Sequence, residues 1–455
     1  MKLVKSLLLG SAAGIAAVAG AQAADLPSRK AAPVEYVRVC SAYGAGFFYI
    51  PGTDTCLRVG GRVRAEYTVG SRFGDTGDGY GSRSRGRLNV DARTATAYGT
   101  LRTFFRYELT VSSGFYAGTI GGNQGIIAPG QARNGAAGPG TASNLDLAFV
   151  QFGPITAGRA QSFFDFYAND ITFSTVRTAD SRLNLLAYTA TFGSGFSATV
   201  SLEDRNTGTG QRENGVVSPG GLSGLNGQNF PDLVASLRVD QGWGSAQLSG
   251  ALTQRSINNA AVGLRNQDEW GYAVQAGVKV NLPMLAAGDF LFLQAAYADG
   301  ALGYLGWGGQ FGSGRITSAT AANQLLIADY SVNALGNSNS ATGWSVVAAL
   351  RHFWTPTLRS ELVASYSELK LGYVLANQAI PGVVARPLDP KELIVAGNLI
   401  WSPVSGLDIG VEILYTRTEL KQAVFAVNDA GARVGPGTVK SDDAWAGRLR
   451  IQRDF

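Results

Sequence analysis

The residues best suited to chemistry in this chain are arginines spaced two apart. Arg58, Arg62 and Arg64 alternate with Val59, Val63 and Ala65, and Glu66 continues the polar series. Arg85 and Arg87 precede Asn89, Asp91 and Arg93, while Arg102 and Arg106 precede Glu108. Near the C-terminus Arg448 and Arg450 repeat the spacing. Side chains alternate sides along an extended strand, so each set shares one face. Fixed guanidinium groups in a row attract and orient anions and dipolar solutes without any covalent step. A separate stretch, Ser162 to Arg182, carries Asp165, Asp170 and Asp180 with Arg177 and Arg182, charges that could oppose such a row.

Covalent chemistry finds little support. His352 is the only histidine, so a Ser-His hydrolase would have to use it. The Gly-rich loops lack the Lys-Ser/Thr of a phosphate-binding loop. Asp75-Thr76-Gly77-Asp78-Gly79 lacks the full ligand spacing of a calcium loop, and no metal site or cofactor is expected. Cys40 and Cys56 are the two cysteines, close in sequence, and in an exported chain they favour a disulfide over free thiols.

Export itself is read from the first 23 residues. Lys2 and Lys5, an apolar run of small residues from Ser6 to Ala19, and Ala21-Gln22-Ala23 have the order of a secretory signal peptide. Residues 24–56 then form a lead-in and 57–455 the main domain. The formal charge of +5, or +3 without Lys2 and Lys5, is no nucleic-acid signature. No apolar run in the mature chain is long enough for a transmembrane helix.

The elements that would position the arginines are strands. Leu57 to Val69 puts Leu57, Val59, Val63, Ala65, Tyr67 and Val69 opposite its charged face, and Trp270 to Leu282 alternates in the same way. Sixteen such runs are counted, the last from Asp443 to Phe455. Seven short links near Tyr98, Gly153, Ser194, Gly242, Met284, Pro356 and Ser405 alternate with eight long ones, including Arg255–Asp268, Asp299–Gly343 and Lys421–Asp442. Long loops at one end, short turns at the other and 60 glycines suit an all-β transmembrane antiparallel barrel of 16 strands in an outer membrane. Such a wall would contact outer-membrane lipid and lipopolysaccharide. Aromatics near strand ends, among them Tyr67, Trp270, Trp344 and Trp445, suit the membrane interfaces.

Three segments carry a family resemblance. The run from Gly46 through Phe47-Phe48-Tyr49-Ile50-Pro51-Gly52 to Cys56 and Gly61, the segment Gly158-Arg159-Ala160-Gln161-Ser162, and the terminal Phe455 resemble the trimeric sixteen-stranded general porins of alphaproteobacteria. The resemblance implies a homotrimer passing small hydrophilic solutes. It also implies a third long loop, here Ser162 to Arg182, that folds into the lumen and narrows it opposite the arginines. A porin dedicated to one solute, or a barrel whose external loops act as an adhesin or receptor, are the alternatives.

Overall fold

The structure, a computed structural model, describes residues 38–70, 79–114, 140–207, 214–218, 221–223, 229–259, 264–308, 312–313, 316–317, 327–332, 337–372, 375–376, 384–385, 388–427 and 433–455. The expected signal peptide, the first part of the lead-in and the Asp75–Asp78 stretch lie outside these residues. Two units are distinguished, Met1–Cys56 and Leu57–Phe455.

In the first unit Cys40 and Cys56 form a disulfide with their Cα atoms 5.9 Å apart. Phe47 packs against the bridge and the cysteines are buried, so a small apolar cluster surrounds the crosslink. Closing a loop of this length is worth about 3 kcal/mol, mainly by restricting the unfolded chain.

Among the described residues, the ring of the second unit is built from sixteen antiparallel strands, with further short strands not part of it. In order they are β1 (Cys56–Gly70), β2 (Tyr80–Thr96), β3 (Gly99–Gly114), β4 (Gly140–Phe152), β5 (Ile155–Gln161), β6 (Arg182–Gly193), β7 (Phe196–Asp204) and β8 (Asp232–Gln241). There follow β9 (Gly244–Asn259), β10 (Leu264–Asn281), β11 (Phe290–Asp299), β12 (Thr342–Thr355), β13 (Leu358–Lys370), β14 (Lys391–Val404), β15 (Leu407–Val427) and β16 (Arg433–Asp454). Each strand pairs with its sequence neighbours, and β1 closes the ring on β16 with Glu66 opposite Arg450 and Thr68 opposite Arg448. Closure leaves no unpaired edge, which lipid would penalise by several kcal/mol per group.

Phe455 extends the seam by exchanging backbone hydrogen bonds with Gly61 at 2.9 and 3.0 Å. A Cβ on Gly61 would stand 2.6 Å from the Phe455 ring, so this close approach needs glycine. At this same end of the barrel the turns are tight. Ser194 and Gly195 adopt φ of 49° and 78°, the left-handed geometry that matches strand twist in a two-residue hairpin.

The alternation sets the two surfaces. Val59, Val63, Leu88, Leu109, Val274, Val411 and Ile413 point outward and are exposed, an apolar band on the outside of the ring. Tyr67, Trp270, Trp344 and Trp445 sit at its long-loop side, and Phe192, Trp243, Trp354 and Trp401 near the short turns. Outward positions on β4 change from odd (Leu145) to even (Val150, Phe152) at a bulge opposite Arg106 and Tyr107, which is why its facing is ambiguous in the sequence.

Two long loops expected from the sequence are instead strand. β9 and β10 extend through most of Arg255–Asp268, and β15 and β16 through most of Lys421–Asp442. Hydrogen-bonded ladders continue past the outward apolar band, where Arg255, Ser256 and Ile257 in succession are all buried, so the inside–outside alternation that marks a strand disappears.

Candidate functional site

β1, β2 and β3 carry Arg62 and Arg64, then Arg83, Arg85 and Arg87, then Arg106; β16 adds Arg448 and Arg450. All eight line one cavity of about 780 Å³ inside the barrel. β12 and β13 contribute Arg351 and Arg359, and Arg182 opens β6. Eleven arginines therefore share the lining with seven carboxylates: Glu108, Asp146, Asp170, Asp180, Glu361, Asp408 and Asp454.

The arginines are tied to acids on the wall. Glu66, fully buried, receives Arg83 at 2.5 Å and Arg450 at 2.6 Å. Glu108 receives Arg87 at 2.5 Å and Arg85 at 3.5 Å, Asp146 receives Arg106 at 3.3 Å, and Asp454 receives Arg62 at 2.5 Å. Arg64 is held by the Gln452 side-chain oxygen at 2.9 Å, within the field of the Glu66 carboxylate. Guanidinium groups fixed in this way keep their charge and lose their freedom, which suits a preset field.

Three expected members are not on the cavity lining: Arg58, Arg102 and Glu66, the last buried with its two arginines. Arg102 pairs with Asp91 at 3.0 Å near the β2–β3 turn, stacked over Phe104 and Phe149 at 5.1 and 5.4 Å. Arg58, near the start of β1, is exposed. In contrast, the alternation on β12 and β13 would have revealed Arg351, Arg359 and Glu361, and recognising β2 from Tyr80 would have revealed Arg83.

The segment 162–181 crosses to inward-facing side chains of strands far around the ring. Tyr167 N–H donates to Gln294 on β11 at 2.8 Å, and Arg177 N–H to Ser365 on β13 at 3.2 Å. Phe173 N–H donates to Glu412 on β15 at 2.5 Å. The Phe173 carbonyl accepts from Arg448 and Arg450, and the Arg450 guanidinium lies 3.9 Å over its ring. A Cβ on Gly410 would stand 2.7 Å from the Phe173 ring, so glycine makes the notch that receives it.

The charged residues of the segment divide by surroundings. Asp165 is buried and accepts from Ser181 N–H at 2.7 Å and from Gln161 at 2.6 Å, closing the base of the loop. Arg177 is buried and paired with Glu392 at 2.5 Å. Asp170, Asp180 and Arg182 face the cavity, with Arg182 3.6 Å from Asp180. Enclosure by the loop, with Asp180 close by, pushes the Asp170 carboxyl up to about 6 although its side chain still reaches cavity water.

His352 lies near the β12–β13 turn, with Nδ1 2.6 Å from Asp289 and its ring edge-on to Trp354. Among the described residues no cluster of His, Cys, Asp and Glu could hold a metal ion.

Residues 25–447 match the family model described as Porin subfamily. The porin Omp2b of Brucella neotomae is 34% identical over 470 residues, covering 99% of each chain. Omp2b of Brucella abortus (strain 2308) is 29% identical over the same length, again covering 99% of each. Among solved structures, the outer membrane channel DcaP of Acinetobacter baumannii superposes with a TM-score of 0.60 at 17% identity, covering 90% of this chain and 99% of that one, a likeness of fold. With its closed sixteen-stranded ring, its apolar outer band and a family match over nearly its whole length, the chain belongs to the Porin subfamily and is a channel protein of the bacterial outer membrane.

Proposed function

We propose that this porin is a water-filled diffusion channel for small hydrophilic solutes and ions, filtered by size and charge where segment 162–181 faces the arginine wall. The observation that carries the reading is the cavity itself. Arginines of β1–β3 and β16 line it together with residues 168–175, Asp170 among them, and Asp180. Opposite charges across a narrow aqueous passage make a transverse field that orients dipolar solutes. The excess of arginine over carboxylate on the lining favours anions.

Planar-bilayer recordings of the purified protein test this. Asp170→Asn/Asp180→Asn should move the reversal potential toward the anion equilibrium potential; an unchanged value sinks the constriction. Asp165 is left out of that variant, because its hydrogen bonds close the loop and its loss would act through folding.

The same site carries a pH dependence. The Asp170 carboxyl stands above its ordinary value, so its charge is present above about pH 6 and lost below it. Anion preference should therefore increase as pH falls from 7 to 5, with Asp170→Asn flat over that window. A wild-type profile that is also flat removes Asp170 from the passage. The sign for stability follows: ionising a group whose folded value is raised opposes folding, so this carboxyl destabilises the fold as pH rises through 6.

The functional unit is proposed to be a homotrimer embedded in outer-membrane lipid and lipopolysaccharide. Family resemblance supports it, as do the small outward residues Ala65 and Ala92 on β1 and β2, which allow close approach. Migration on unheated gels tests the assembly.

A further inference from the structure

A second stretch of chain, which the sequence places only within a long loop, is buried beside the first. Ala301 to Trp307, between β11 and β12, are fully buried and include a turn of 3-10 helix at Leu302–Leu305. They join a core with Val234, Ala251, Ala273 and Ala298, which occupy inward positions of β8 to β11. A wall facing water would be polar at those positions; a wall facing packed protein is apolar, and alanine leaves the room.

Buried polar groups fix the stretch in place. The Leu302 N–H donates to Asp329 at 2.9 Å, and Asp329 pairs with Arg255 at 3.0 Å with both side chains fully buried. Tyr304 donates its hydroxyl to Asp232 at 2.7 Å.

The stretch also grips segment 162–181. Tyr304 meets Phe164 edge-on at 4.7 Å. Gly306, at φ +78°, lies so close to Thr178 that a Cβ would stand 2.5 Å from its carbonyl oxygen. The Arg177 guanidinium lies 4.1 Å over the Trp307 ring and donates to the Gly306 carbonyl at 2.9 Å. The Trp307 indole N–H donates to Ser367 on β13 at 2.7 Å. Beside its bonds to β11, β13 and β14, segment 162–181 is thus held by Phe173 on the β15–β16 wall and by Trp307, itself tied to β13.

We propose that residues 301–307 are a specificity-determining element: they fill the β8–β11 side of the lumen and, through Trp307 and Gly306, set how far Asp170 and Asp180 stand from the arginine wall. The proposal rests on the constriction reading above. A field across a passage is only as definite as the spacing of its charges, and a loop that loses a packing contact beside its charged residues would let that spacing wander. With the β8–β11 side filled by protein, solutes are confined to the arginine side.

Trp307→Leu tests the clamp, because it keeps apolar bulk and removes both the ring under Arg177 and the indole N–H. In planar bilayers the purified full chain should conduct about 1.5-fold more per channel, and the reversal-potential shift from Asp170→Asn/Asp180→Asn should fall to about half. Trp307→Phe, which retains a ring for Arg177, should stay near wild type in both. Gel migration with and without heating confirms a folded barrel; should Trp307→Leu not fold, Trp307→Met, which keeps more apolar bulk but no ring and no indole N–H, is read by the same two measures. A folded variant with wild-type conductance and an undiminished Asp170/Asp180 shift overturns the proposal. Failure of the constriction reading is distinct: there the Asp170/Asp180 variant of the unaltered chain shows no shift, and Trp307→Leu conductance alone decides whether 301–307 restricts passage.

Discussion

Glu392→Ala should lower the unfolding free energy of this porin by about 3–5 kcal/mol, the cost of stranding a buried charge. Glu392 binds the Arg177 guanidinium through both oxygens, at 2.5 and 3.2 Å, with about 1% and 5% of the two side chains exposed. Without the carboxylate, Arg177 keeps its contact with the Gly306 carbonyl and the Trp307 ring, neither of which neutralises a full charge. Removing both ends is a different perturbation. Arg177→Met/Glu392→Leu leaves no unpaired charge and should cost clearly less than Glu392→Ala alone. Denaturant unfolding of the two variants checks the order. A double variant as unstable as the single one would show that the pair contributes through shape rather than through charge compensation.

Arg450→Ala should both loosen the barrel seam and shift selectivity toward cations. Arg450 sits opposite Glu66 across the β1–β16 closure and bonds it at 2.6 Å, while its guanidinium covers the Phe173 ring. Glu66 would retain Arg83, so the expected stability loss is about 2–3 kcal/mol rather than that of a fully stranded charge. Loss of one wall cation and of the surface beneath Phe173 acts on the channel as well. The reversal potential should move toward the cation equilibrium potential, and current noise should rise as the loop tip loosens. Arg450→Lys keeps the charge but not the planar fork, so it should preserve most of the selectivity and still increase noise. A folded Arg450→Ala channel with unchanged selectivity would exclude the β16 arginines from the solute path.

The arginine series is legible in the sequence because two-residue spacing assigns side chains to faces without reference to tertiary contacts. Arg62, Arg64, Arg85, Arg87, Arg106, Arg448 and Arg450 all reach the cavity. The same rule extended to β12 and β13 finds Arg351, Arg359 and Glu361. Asp165 and Asp180, by contrast, look alike in sequence. One closes the loop base and the other faces the cavity, a difference set by where Ser181 N–H and Gln161 fall in three dimensions. Arg177 is the sharper case, since its partner Glu392 lies 215 residues away.

The apolar inward residues of β8 to β11 carry a second local signal. Ala251, Ala273 and Ala298 are out of place on a wall that faces water, and they point to protein inside the ring. Composition does not say which segment that is. The sequence by itself determined the strand count, the two-faced wall and the family, because alternation and turn residues are local and repeat along the chain. Only the tertiary structure decided which charges face the cavity, that β4 changes facing at a bulge, and that residues 301–307 share the interior with segment 162–181. Those outcomes depend on contacts between distant strands, which bring together side chains that no spacing rule relates.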